Sequence, residues 1–250
     1  MKRTSVVILA GGTSDELYFR FGTGYWALVP IKKKPMVDYI IDAFRLAGAK
    51  DIIIVGKWTS GSSEYQGCRV IEGGDKHFDN VEAGLREAKH ERVIISTCDI
   101  PALTSKAVTD FAKGCVGDVP GVYFPITLVS DCEKDFPGMK RTSLPLREGV
   151  VTAGNIFLVD RDELFERLKT IHPLLKNKKS KIKLALQFGV IILIKVFLSM
   201  KTGKPLLTLH KLEQRAAKML GMPVKAVWAD SSIASDIDTL KQLDQYLGML

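Results

Sequence analysis

Short aliphatic runs, each ended by glycine or a polar turn and spaced by stretches of helical periodicity, limit most strongly what this chain can fold into. They are Val6–Ala10, "DIIIVG" at 51–56, "CRVIEGG" at 68–74 and "RVIISTCDIPALT" at 92–104. Runs this short and this rich in Val and Ile read as strands buried on both faces. Between them, Pro35 opens "MVDYIIDAFRLAGA", which puts Val37, Ile40, Ile41 and Phe44 on one helical face and closes at Gly48. "NVEAGLREAKH" reads as another helix. The alternation predicts an α/β fold with a doubly wound, mostly parallel sheet that meets its ligands at the carboxyl ends of the strands.

Beyond position 120 the texture changes. "GVYFPITLV" and "GNIFLVD" predict two strands around a loop containing "PGMKRTSLPLREG". Residues 161 to about 220 read as helical, "KAVWAD" as a late strand, and Thr239 as the start of the last helix. At 250 residues, this is one domain, 1–250, with a helical insertion at about 161–222.

Two of the predicted strand ends carry residues suited to chemistry. "AGGTS", with Ala10, Gly11, Gly12 and Thr13, stops a strand at bare backbone, and such loops hold phosphates through their N–H groups. "CDIP" places Asp99 where an apolar strand enters a loop, a position from which a carboxylate can hold Mg²⁺. Asp236 and Asp238 in "SDIDTL" could add a second carboxylate or could cap the following helix. Lys140 and Arg141 in "GMKRTS" are either a phosphate-binding pair or an exposed basic turn. Asn155 could reach a substrate hydroxyl or the metal, or cap local backbone, and Thr152 shares that ambiguity. Cys98 reads as a small core residue, because no His stands near it in sequence to activate it.

The net charge of +8 favours an anionic partner, although much of it sits in two lysine runs, 32–34 and 176–183. The basic residues are not interleaved with aromatics, which argues against a nucleic-acid partner. Four scattered cysteines and four histidines show no metal spacing, and no apolar leader precedes the first strand, so a cytoplasmic location is expected. The most apolar stretch, 184–200, contains Gln187 and Lys195, which argue against a membrane span. It reads as a buried or homodimer-forming helix, or as one lying on an anionic membrane surface.

"VILAGGTS", "KPMVDYIIDAF", "IIIVG", "EGGDKHFDNVEAGL", "STCDIPALT", "TAGNIFLVD" and "DIDTLKQLDQYL" together resemble the MobA-like nucleotidyltransferases, over roughly 5–160 and 224–247. The "PGMKRT" loop is similar to that of a bacterial branch of this family, which includes guanylyl- and cytidylyltransferases. The resemblance implies a sheet of the nucleotide-diphospho-sugar transferase type, GT-A-like and Rossmann-like. It also implies Mg²⁺-dependent transfer of an NMP unit from an NTP, GTP or CTP, to a small phosphorylated acceptor. Ala10, Gly11 and Gly12 would then hold base and phosphates, Gly74 and the segment of Asn80 would line base and ribose, and Asp99 with Asp236 or Asp238 would bind the metal.

The sequence also departs from the family pattern. Members follow the glycine loop with an Arg and later a Lys that clamp the triphosphate, whereas here Asp15 and Glu16 follow it and Trp26 stands near the place of the Lys. Arg20, Lys32, Lys33 and Lys34 are the nearby cations. The departure keeps open a catalytically degenerate nucleotide- or sugar-nucleotide-binding protein.

Overall fold

Thr4–Leu9 (β1) runs through the middle of a ten-stranded mixed sheet in the computed structural model, which describes residues 1, 3–58, 64–74, 76–117, 121–175, 201–202 and 205–250. Asp51–Val55 (β4) and Arg92–Thr97 (β7) flank it in parallel, and Cys68–Ile71 (β6) continues the parallel set beyond β4. The remaining strands are Pro30–Ile31 (β2), Lys34–Pro35 (β3), Glu64–Tyr65 (β5), Val122–Leu128 (β8), Leu144–Leu146 (β9), Gly149–Ala153 (β10), Ile156–Asp160 (β11) and Val224–Trp228 (β12). β2 and β3 form a separate hairpin. On the other side of β7 the sheet turns antiparallel through β11, β8, β10 and β9, while β12 runs parallel along β8.

The helices are Asp15–Phe21 (α1), Met36–Leu46 (α2), His77–Glu87 (α3), Ser105–Gly114 (α4), Val129–Asp135 (α5), Arg161–Leu175 (α6), Leu209–Leu220 (α7) and Leu240–Gly248 (α8). Alternate residues of β1 feed opposite layers, as the strand period of two requires. Val6 and Ile8 join Ile40, Phe44 and Phe111 under α2 and α4, and Val7 and Leu9 join Val81, Leu85 and Leu168 under α3 and α6. A smaller cluster around Leu17, Ile31, Met36 and Leu243 ties α1, the β2–β3 hairpin and α8 to the sheet.

The stretch after β8 read as a loop contains α5 and β9, because an acidic seven-residue helix with one buried side chain, Cys132, carries almost no periodic signal. Between 161 and 220 the chain is helical in α6 and α7, but residues 205–208 are not helical. Among the described residues no helix is long and apolar enough to cross a membrane, and the stretch 184–200 lies outside the described residues. Thr239, not Asp236 or Asp238, caps α8, its side chain accepting from the Gln242 amide.

One buried polar cluster fastens the base of β1. The Ser5 hydroxyl donates to Asp51 at 2.6 Å, Arg69 donates to the same carboxylate at 2.7 Å, and the Lys89 amide donates at 3.1 Å. Burial alone would raise the Asp51 pKa, but these three donors outweigh it and hold the carboxyl below its usual range. A depressed carboxyl stabilises the fold above its unfolded pKa and ceases to do so as pH falls through its folded value. Asp51→Ala is therefore expected to cost about 2 kcal/mol in denaturant unfolding at pH 7, a deficit that shrinks below about pH 4.

Candidate active site

The carboxyl ends of β1 and β7 and the N-terminus of α3 enclose a polar cavity of about 240 Å³. Gly11 and Gly12 form one wall, Gly74 and Asn80 another, and Asp99 lies beside Thr97 and Cys98. Asn80 is a buried tie: its Oδ1 accepts from the Gly74 amide at 2.6 Å and its Nδ2 donates to the Gly74 carbonyl at 3.2 Å. A Cβ on Gly11 would come within 3.2 Å of Asn80 Nδ2, so glycine there lets the β1 loop approach this amide. Asn80→Ala is expected to lower stability by about 1–2 kcal/mol, read as a lower urea midpoint, because a part-buried loop loses two hydrogen bonds.

Asp99 is set by its neighbours on both sides. The Thr97 hydroxyl donates to its Oδ1 at 2.5 Å, and the Ile237 amide donates to its backbone carbonyl at 2.9 Å. The second bond brings the 236–238 segment to the cavity edge, close enough that Asp236 and Asp238 repel the Asp99 carboxylate. Burial first, then those two charges, push the Asp99 pKa up to about 6 against the Thr97 hydrogen bond. Burial and the neighbouring Asp236 raise Asp238 as well.

Asp99, Asp236 and Asp238 lie close enough to repel one another, and carboxylate oxygens are the donors a hard divalent ion takes. Among the described residues no three His, Cys, Asp or Glu side chains converge into a closed protein cage. Mg²⁺ does not need one, since it takes one or two carboxylates and fills its other positions with water and phosphate oxygens. Asp99 with one of its two acidic neighbours fits that requirement.

Ala10 is fully buried in the core, its amide donating to Val55 at 2.8 Å, and Thr13 is exposed in a bridge to Tyr25. Lys140 is exposed, and among the described residues its recorded contact is its backbone carbonyl accepting from Gln242. Arg141 turns inward, donating from Nη1 to the Ala234 carbonyl and lying 5.7 Å from the centre of the Phe136 ring. It braces the turn Ser231–Ala234 that leads to Asp236 and does not line the cavity. Asn155 sits beside the cavity on an adjoining apolar cleft, its amide donating to Ile233 at 2.9 Å and its carbonyl accepting from Thr97 at 3.2 Å. Cys98 is buried, and burial followed by the charge of Asp99 raises its thiol pKa well above the ordinary value. That is the environment of a core residue.

Trp26 lines the cavity, its amide donating to the Gly12 carbonyl at 3.1 Å, whereas no lysine or arginine among the described residues lines it. Arg20 is committed to Asp244 through two hydrogen bonds of 2.5 and 3.1 Å, Lys34 pairs with Asp42, and Lys32 donates to the Leu250 carbonyl at 2.8 Å. Thr97 and His77 are cavity residues that the motif reading did not single out. A hydroxyl two places before the acid in "STCDIP" is a usable signal for Thr97; nothing local marks His77.

Residues 6–132 match the family model described as the MobA-like NTP transferase domain. A molybdenum cofactor guanylyltransferase from Yersinia pestis (strain Pestoides F) is 34% identical over 112 residues, covering 43% of this chain and 55% of that protein. The chain thus spans about half the length of the curated relatives it matches. A hypothetical transferase structure from Thermus thermophilus aligns with a TM-score of 0.84 at 29% identity, covering 97% of this chain and 100% of that one. A 2-C-methyl-D-erythritol 4-phosphate cytidylyltransferase, also from Thermus thermophilus, aligns with a TM-score of 0.58 at 16% identity over 100% and 98% of the two chains, a likeness of fold.

Proposed function

The chain belongs to the MobA-like NTP transferase family, and from that premise we propose that it transfers a nucleoside monophosphate from an NTP to a small phosphorylated acceptor. The observation that carries this reading is Asp99, tethered to the segment of Asp236 and Asp238 at the edge of a cavity walled by Gly11, Gly12 and Gly74. The names of similar proteins, a guanylyltransferase and a cytidylyltransferase, support GTP or CTP as the donor.

In this reaction an acceptor phosphate oxygen attacks the α-phosphorus and the bond to the bridging oxygen of the β-phosphate breaks. Pyrophosphate leaves with that electron pair. An ionised phosphate nucleophile has no proton to give up, so the site needs no general base; it needs position and charge compensation. Bare glycine backbone lets the nucleotide approach β1 closely, and the Asn80 tie holds Gly74 in place to receive it. Thr97 orients Asp99, while Arg141 acts as a positioning residue by bracing the backbone before Asp236. Asp99 with Asp236 or Asp238 would hold Mg²⁺, which when bound supplies the positive charge that no described lysine or arginine of the cavity wall provides.

The test is to incubate the protein with Mg²⁺ and each NTP together with a pool of small phosphate esters, then to resolve the products by mass. An acceptor heavier by one NMP residue, with pyrophosphate in equal amount, is expected for one base. Nucleotide binding without such an adduct from any ester would overturn the transferase reading.

A further inference from the structure

An apolar cleft of about 390 Å³ opens beside the polar cavity and shares Leu9, His77 and Thr97 with it. Given the transferase reading above, we propose that the acceptor is an amphipathic phosphate monoester. Its apolar body lies in this cleft and its phosphate reaches back past Thr97 to Asp99. The cleft lies over β7 and β11 between α3 and α6. On its β1 side α3 packs closely: a Cβ on Gly84 would fall 2.3 Å from Val7 Cγ1, so glycine lets the helix settle onto that strand.

The two helices run in opposite senses, since β11 is antiparallel to β7 and feeds α6 from the far end of the sheet. At that far end the Arg86 guanidinium of α3 lies 5.0 Å from the centre of the Phe165 ring of α6, which ties the two helices together. The walls are Phe78, Val81, Phe157, Val159, Leu164 and Leu168. The polar groups, Ser96, Thr97, His77 and Asn155, gather at the opposite end, where cleft and cavity join.

This polarity decides the occupant. A nucleobase needs hydrogen-bond partners around its edge, and the body of the cleft offers none among the described residues. A ligand with one charged end and an apolar remainder matches both ends. The Ser96 hydroxyl already donates to the Thr97 carbonyl and the Thr97 hydroxyl to Asp99. The carboxamide of Asn155 has no hydrogen-bond partner among the described residues, so its NH₂ is free to donate to a phosphate oxygen at the junction. The cleft is also within the size range of pockets that enclose small organic ligands.

The experiment is a calorimetric series with butyl, hexyl and octyl phosphate, glycerol 3-phosphate and octanol. Each is titrated into the full chain with and without Mg²⁺ and the preferred nucleotide. Each buried methylene is expected to tighten binding about fourfold, so affinity should climb from butyl to octyl phosphate, with glycerol 3-phosphate and octanol both weaker than octyl phosphate. Leu164→Phe, which fills the cleft from α6, should flatten the series while leaving nucleotide binding unchanged; Leu168→Phe does the same from the next turn of α6 should the first variant fold poorly. Affinity independent of chain length, or a series untouched by a folded filling variant, overturns the inference. Nucleotide binding with a flat series refutes the amphipathic acceptor and leaves the transferase reading. A steep series with no nucleotide binding keeps the amphipathic ligand and refutes the transferase.

Discussion

Asp99→Asn is expected to make the ligand-free protein more stable, by about 1–3 kcal/mol at pH 7–8. Burial and two neighbouring carboxylates raise the Asp99 pKa to about 6, whereas an unfolded Asp titrates near 4. A carboxyl raised on folding binds its proton more tightly in the native state, so stability falls as pH climbs through this window. A tenfold difference in proton affinity between the two states is worth about 1.4 kcal/mol. Asn is neutral throughout and still accepts the Thr97 hydrogen bond. The gain should therefore be full above about pH 6 and vanish below about pH 4, and urea unfolding at a series of pH values reads it directly. Equal stabilities across that range would mean that the acidic cluster imposes no strain on the empty fold.

Gly84→Val should have the opposite and larger effect. The new Cβ would lie 2.3 Å from Val7 Cγ1, 3.1 Å from Val7 Cγ2 and 3.3 Å from Val55 Cγ2, all on central strands that cannot yield. Overpacking of this kind costs about 1–3 kcal/mol or more. The only relief is for α3 to lift away from β1, and α3 carries both Asn80 and His77. A loss of at least about 2 kcal/mol in denaturant unfolding, together with weakened nucleotide binding in whatever fraction still folds, is the expected result. An unaltered denaturation curve would show that the contact between α3 and β1 is looser than the packing implies.

The parallel core of the fold was legible because β1, β4 and β7 are buried at nearly every residue and written largely in Val, Ile and Leu. Asp99 was legible for a related reason, since a carboxylate ending such a run has few structural uses. In the antiparallel half β8, β11 and β12 were legible as apolar runs, but the segment between β8 and β11 was not. β9 is three residues long, and α5 has one buried side chain. Neither has enough periodic positions to show in the sequence. What brings Asp236 and Asp238 to Asp99 is a backbone hydrogen bond from Ile237, a contact that no residue type announces. The same holds for Arg141, whose Nη1 donates to the Ala234 carbonyl while its buried Nη2 has no hydrogen-bond partner among the described residues. Trp26 was marked by its departure from the family pattern, and it does line the cavity.

A nucleotide site built on Asp99 and a divalent cation loses its ligand when either is removed. Titration calorimetry of GTP and CTP into the wild-type chain, with and without Mg²⁺ and repeated on Asp99→Asn, tests it most directly. Binding of one nucleotide that requires Mg²⁺ and is lost in a variant that remains folded and more stable is the expected result. Binding of equal strength in wild type and Asp99→Asn, or no binding of either nucleotide to the folded wild type, would contradict it.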